Sequence, residues 1–175
     1  MKASFVVLSL PAILSACDRA NRARLSQPGF IHLGNADATE LAAIAARIIP
    51  SDDTPGATEA GVIYFIDQVL DENRVQERNQ LSDGIRDLNR QVSEDYGVNL
   101  FSELDPDQQD RVLASIEQTA FFGTMRFLTV AGMFALAGYG GNGPDIGYQL
   151  IGFENRHAWT APYGFYDADY NERGQ

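Results

Sequence analysis

Cysteine is all but missing from this chain. Cys17 stands alone in 175 residues, which excludes an internal disulfide and covalent haem attachment through Cys-x-x-Cys-His. Histidine is nearly as scarce. His32 and His157 each lack a cysteine or second histidine at metal-ligand spacing, so His32 reads as structural and His157 is a weak candidate for metal or general-base duty. Basic residues are short too: 13 Lys and Arg against 24 Asp and Glu give a net charge of −11 and an isoelectric point near 4.4. Nucleic-acid binding needs a basic face to meet phosphates, so that partner class is excluded. No Gly-x-Gly-x-x-Gly follows a strand signal, and no Lys-Ser/Thr pair closes the glycine stretch at 138–143, which excludes a dinucleotide fold and a phosphate cradle. Beyond the N-terminus, the one run approaching membrane length, 119–137, carries Arg126 at mid-segment and is not read as a span.

What is present is a globular composition, 45% hydrophobic and 10% aromatic, in a chain long enough to bury roughly 70% of its unfolded surface as one domain. The N-terminus stands apart. Met1-Lys2 gives a minimal positive region, and the apolar run from Phe5 is too short to span as a helix and ends in Leu14-Ser15-Ala16-Cys17. Small residues before a cysteine resemble a bacterial lipobox, with Cys17 as the lipidated residue; a buried cysteine and a plain secretory signal are the alternatives. Asp18 then resembles an inner-membrane retention signal, which predicts a periplasmic chain anchored to the inner membrane of a Gram-negative bacterium. The start also resembles the tail of a twin-arginine motif. An upstream start would supply the Arg-Arg pair, and a short Sec-type region is the competing reading. The expected organisation is an export signal at 1–16, a membrane-proximal linker at 17–36 and a helical domain at 37–175. In the linker, Arg19, Arg22 and Arg24 either meet anionic headgroups or belong to a solvated tether.

Apolar periodicity predicts helices through most of the remainder. Leu41, Ile44, Ala45 and Ile48 share a face over 38–48, with Asp37 and Glu40 spaced as a capping box. A corner follows, built of Pro50, Ser51, Asp52, Asp53, Thr54, Pro55 and Gly56, in which proline stops one helix and Pro55-Gly56 supplies turn chemistry before the next at 58–70. A third helix over 75–96 buries Leu81, Ile85, Leu88 and Val92, keeps its other faces polar and stops at Gly97. Phe101 and Leu104 are expected in the core. Asp105, Pro106 and Gln108 mark the start of a fourth helix carrying Val112, Leu113 and Ile116. The segment 119–137 is apolar nearly all round, so it is either central in its own domain or buried in a complex. Residues 148–153 could form a short extended piece. The class is all-α: a single compact multi-helix domain with an irregular, glycine- and aromatic-rich C-terminal segment.

No catalytic set emerges. Asp52 and Asp53 are adjacent and point apart on an extended chain, whereas paired acid/base work needs convergent carboxylates; they read as turn and cap residues, with Asp53 or Thr54 setting the turn into the second helix. Asp167, Asp169, Asn171 and Glu172 lack the glycine and spacing of a calcium loop. Trp159, Tyr163, Phe165, Tyr166 and Tyr170 lie outside any periodicity, which suits aromatic anchors in a partner's pockets or a tail packed on its own domain.

Two stretches carry a family resemblance. The run from Leu41 through the corner to Ala57, then Ala60-Gly61-Val62 and Phe65-Ile66-Asp67, resembles the gluconate 2-dehydrogenase small subunit (subunit 3) family. So does Tyr139-Gly140-Gly141-Asn142 followed by Gly147-Tyr148-Gln149-Leu150-Ile151-Gly152-Phe153, with Tyr148 where the family commonly has Trp. The resemblance implies a non-catalytic subunit of a membrane-associated flavin-dependent dehydrogenase acting on a sugar, sugar acid or alcohol. Its expected partners are a flavoprotein large subunit of the glucose-methanol-choline type holding FAD and a multihaem cytochrome c holding haem c. The small subunit of such a complex supports export, assembly and stability of the flavoprotein and holds no cofactor or metal itself. Expected partner-facing residues are Tyr139, Gly140, Gly141, Asn142, Tyr148, Trp159, Tyr163, Phe165 and Tyr166, with Pro50, Asp52, Asp53, Pro55 and Gly56 as a structural corner. The alternative is a stand-alone periplasmic lipoprotein that binds a small ligand or has its own activity at the Asp52/Asp53 corner or near His157.

Overall fold

The computed structural model describes residues 30–136 and 139–155. The export signal, Cys17, His157 and the aromatics Trp159, Tyr163, Phe165 and Tyr166 lie outside the described residues. Six α-helices and one 3₁₀ turn make up the regular structure among the described residues: α1 Asn35–Ile48, α2 Val62–Val69, α3 Val75–Tyr96, the 3₁₀ turn Phe101–Glu103, α4 Pro106–Ser115, α5 Ala120–Phe134 and α6 Ile146–Leu150. The all-α class holds.

At the centre, α1, α2 and α5 pack on one another; α3 covers α1 and α5, α4 and the 3₁₀ turn close over α1, and α6 sits on α5. The apolar stripes meet in one core. Leu41 and Ile44 of α1, Val62 and Ile66 of α2 and Met125 and Met133 of α5 are fully buried, and Phe101 enters from the 3₁₀ turn. On α3 the stripe Leu81, Ile85, Leu88 and Val92 faces inward, each side chain contributing about 1.5–3 kcal/mol by burial. Gly97 ends this helix in the left-handed region at φ 72°, as the sequence predicts. The start of α4 is also as predicted. Asp105 Oδ1 accepts from Gln108 N at 2.8 Å, Gln108 Oε1 accepts from Asp105 N at 3.1 Å, and Pro106 occupies the first turn where no N–H is needed.

Four expectations change. Asp37 and Glu40 do not cap α1: the helix begins at Asn35 after Gly34, placing both carboxylates inside it. The second helix starts at Val62 rather than near 58, because residues 57–61 form turns and Gly61 is left-handed at φ 69°. Asp53 and Thr54 therefore do not cap it. Residues 148–153 are not extended. With no strand to pair with, the segment satisfies its backbone locally as α6, starting where Gln149 N donates to Asp145 O, and then turns. Of the residues expected in the linker, Asn35 and Ala36 open α1 and 30–33 reach α2: Phe30 lies against Tyr64 with ring centroids 5.8 Å apart, and Leu33 is buried.

Candidate functional site

The corner is closed by its own hydrogen bonds. Ala57 N donates back to Ile49 O at 2.9 Å, bringing Gly56 against the chain just before Pro50. A side chain at Gly56 would place its Cβ 2.5 Å from Ile49 O, so only glycine fits there. Asp52 Oδ1 accepts from Thr54 N at 2.9 Å and from Thr54 Oγ1, and these bonds hold its carboxyl below the ordinary value. Glu59 reaches back to accept from Gly56 N at 2.9 Å and from Ser51 Oγ. Burial pushes the Glu59 carboxyl up, but those hydrogen bonds together outweigh it and its pKa is lowered. Asp52 and Glu59, rather than Asp53 or Thr54, set the turn. Both carboxylates are occupied by structure, and Asp53 points to solvent.

The glycine loop meets the far side of this corner. Gly143 N donates to Ala60 O at 3.1 Å, and a Cβ at Gly141 would lie 2.2 Å from Gly132 O on α5. Backbone thus passes at backbone distance over α5. Asn142 is completely buried: its Nδ2 donates to Ala135 O at 2.9 Å and its Oδ1 accepts from Gly147 N at 2.7 Å, tying the end of α5 to the start of α6. Tyr148 is buried too, edge-on to Phe153 at 4.9 Å. Of the loop residues expected to face a partner, Gly141, Asn142 and Tyr148 lie inside the chain, Gly140 is half-buried and Tyr139 is exposed. The reason is physical: an amide side chain that satisfies both a carbonyl and an N–H of a tight loop must lie within it.

The burial of two carboxylates escaped the sequence reading. Asp67 collects three successive backbone donors, Ile31 N (2.9 Å, to Oδ2) and His32 N and Leu33 N (2.9 and 2.8 Å, to Oδ1), and so clamps the entering chain onto α2. Glu40 Oε2 accepts from Phe101 N at 2.9 Å, joining α1 to the 3₁₀ turn, while Gln109 Nε2 donates to Phe101 O at 3.2 Å. A signal was available for both. Glu40 adjoins Leu41 and lies four residues before Ile44, and Asp67 follows Ile66 and lies four after Ile63, so each acid falls in an apolar stripe. On the surface, Arg47 forms a two-pronged pair with Asp110, both contacts 2.7 Å, linking α1 to α4 and lowering the Asp110 pKa.

The remaining feature is apolar and open. The inner stripe of α5 (Met125, Leu128, Gly132, Met133) is buried, but Phe127 is 70% exposed and Val130 is exposed beside it. Leu136, Tyr139, Leu150, Ile151 and Phe153 add exposed apolar surface beyond the C-terminal end of α5. Between α2, α3 and α5 a groove of about 750 Å³ opens, and a recess of about 420 Å³ lies beside it. Phe121 lines both. Its ring seats over Gly84 of α3, where a Cβ would come within 2.2 Å of it.

A sequence model described as gluconate 2-dehydrogenase subunit 3 matches residues 35–154, more than half of the chain. The chain belongs to that family. No curated relative and no solved structure matches. As a gluconate 2-dehydrogenase subunit 3 protein it is by family a subunit of a dehydrogenase complex, and both sequence stretches that carry the resemblance fall inside the matched span. The structure brings those stretches together: the corner and α2 from one, the glycine loop and α6 from the other, meeting around α5 through the Gly143–Ala60 bond and the close approach of Gly141 to Gly132. Among the described residues no three His, Cys, Asp or Glu side chains converge as a metal site, and no helix is long and apolar enough to cross a membrane.

Proposed function

We propose that this chain is the non-catalytic small subunit of a membrane-associated flavin-dependent dehydrogenase, binding the catalytic flavoprotein and supporting its export, assembly and stability. The observation that carries the reading is the exposed apolar face of α5. The outward side of α5 presents Phe127 and Val130 beside Thr124 and Arg126, and large exposed apolar side chains mark a protein contact. Hydrogen bonding in and beside the family stretches supports the same view. Asp52, Asp67 and Asn142 within them and Glu59 between them are each bonded to backbone, so these polar groups are engaged in holding the fold. Chemistry then belongs to the partner: FAD in a glucose-methanol-choline type large subunit, with electrons passing to a multihaem cytochrome c. Lipidated Cys17 anchors the complex at the periplasmic side of the inner membrane.

Deletion and purification test this. Deleting the chain is expected to leave the flavoprotein unexported or inactive, and the purified chain is expected to show no flavin absorbance and no turnover. Turnover of a sugar, sugar acid or alcohol by the isolated chain would favour the stand-alone reading and end this one. For the anchor, Cys17→Ser is expected to abolish palmitate labelling and release the chain from membranes; labelling that persists in the variant sinks the lipidation proposal.

A further inference from the structure

We propose that the groove between α2, α3 and α5 and the recess beside it together receive one amphipathic helix of the dehydrogenase partner. That helix carries two bulky apolar side chains seven residues apart, flanked by lysine or arginine. The proposal rests on the accessory-subunit reading and names the surface and the chemistry of its partner.

The spacing comes from α3. Its residues lining the larger groove include Glu77, Leu81 and Asp87, and those lining the smaller recess include Gly84, Leu88 and Glu94, each seven positions further on. Seven residues are two helical turns, a translation of about 10 Å along the axis. The two hollows thus follow one another along α3 at the period of a helix face, and the Phe121 ring over Gly84 lines both. A helix laid along α3 meets both with side chains at i and i+7, the register of helix-in-groove recognition. The larger hollow is floored by Phe65, Val69 and Leu128 and edged by exposed Phe127, which suits an apolar anchor.

Charge selects the occupant. Over residues 30–155 the chain carries twenty carboxylates against seven arginines. Around the hollows Glu77, Asp83 and Asp87 are each met by an arginine three residues away, at 3.6, 2.6 and 3.0 Å, in exposed pairs that hold little energy and exchange readily. The lining of the two hollows carries four carboxylates (Glu77, Asp83, Asp87, Glu94) against two arginines (Arg74, Arg90), which with the net charge leaves the field there negative and favours a basic partner. A second copy of this chain would bring the same acidic surface. The aromatic tail, residues 156–175, carries two arginines against three acids and offers no complement either.

The test uses the full-length chain expressed in its own host. Thr124 lines the larger hollow and is exposed, so Thr124→Cys can carry a thiol-attached photocrosslinker there. The expected product is a crosslink to a peptide of the dehydrogenase subunit with apolar side chains seven apart and basic flanks. The Phe127→Ser variant is expected to weaken that complex by about tenfold without lowering the melting temperature, since the side chain is already exposed. Binding of the wild type should also weaken as salt rises. If the wild-type complex forms but the crosslink falls elsewhere on the partner, on residues 18–29 or the tail of the same chain, or on a second copy, the groove proposal is overturned and the accessory reading stands. Equal affinity of Phe127→Ser overturns it likewise. A wild-type chain that binds no dehydrogenase subunit overturns the accessory reading itself.

Discussion

Asp67 is the residue whose role departs furthest from its place in the sequence. Three backbone N–H groups converge on one buried carboxylate, and charge-assisted bonds of this kind are about twice as strong as neutral ones. Asp67→Ala leaves the donors of residues 31–33 without their acceptor, and a loss of about 3 kcal/mol is expected. Urea unfolding measures the loss, and hydrogen exchange should show the amides of 31–33 opening while α1 stays protected. A variant as stable as wild type would mean the clamp is incidental. Gly56 makes the opposite kind of statement, since its contribution is the space it leaves. Gly56→Val drives a branched side chain into Ile49 O and the Pro50 carbonyl, with an expected cost of about 3 kcal/mol. Partner binding should fall only as far as the folded fraction falls. Loss of binding in a fully stable variant would move the corner into the interface.

Among the elements, α3 and α5 show how packing overrides propensity. Glycine inside a helix is about 1 kcal/mol worse than alanine, so local reasoning favours Gly84→Ala. The Phe121 ring occupies the place the new methyl would take, 2.2 Å from its Cβ, and must move. A net loss of about 1–2 kcal/mol is expected, with weaker partner binding as the ring that lines both hollows shifts. A stabilised Gly84→Ala protein would show that the ring is free to swing away. The end of α5 follows the same logic, with Gly132 and Gly141 letting a loop cross the helix at backbone distance. A glycine-rich loop is legible in the sequence as close approach; that the close neighbour is this chain's own helix is not.

At the scale of the whole molecule, acid reaches two places where hydrogen-bonded carboxylates titrate below their ordinary values, the corner and the α1–α4 contact. Asp52, Glu59 and Asp110 all have folded pKa values below the ordinary 3.8 or 4.5. A lowered folded value means these groups contribute stability above the ordinary pKa and lose it as pH falls through the folded one. The stability difference between wild type and Glu59→Gln should therefore be largest above pH 4.5 and shrink below it, measured by urea unfolding across pH. A difference that grows on acidification would contradict the hydrogen-bond assignment.

Much of this protein was settled by its sequence alone. The helical class, the stop at Gly97, the start at Asp105, the corner around Pro50 and Gly56 and the family stretches rest on neighbours within a few residues, and such short-range rules act wherever the chain goes. Tertiary structure alone decided where the acids and the apolar surplus ended up. Glu40 meets Phe101 from 61 positions away and Asp67 meets Leu33 from 34, and no local pattern chooses such partners. The same holds for α5. Its sequence is apolar nearly all round, and only the packing of α1, α2 and α3 determines which side is core and which side, bearing Phe127 and Val130, is left exposed. Periodicity fixes which residues share a face, but which faces meet depends on how all the helices can be buried together.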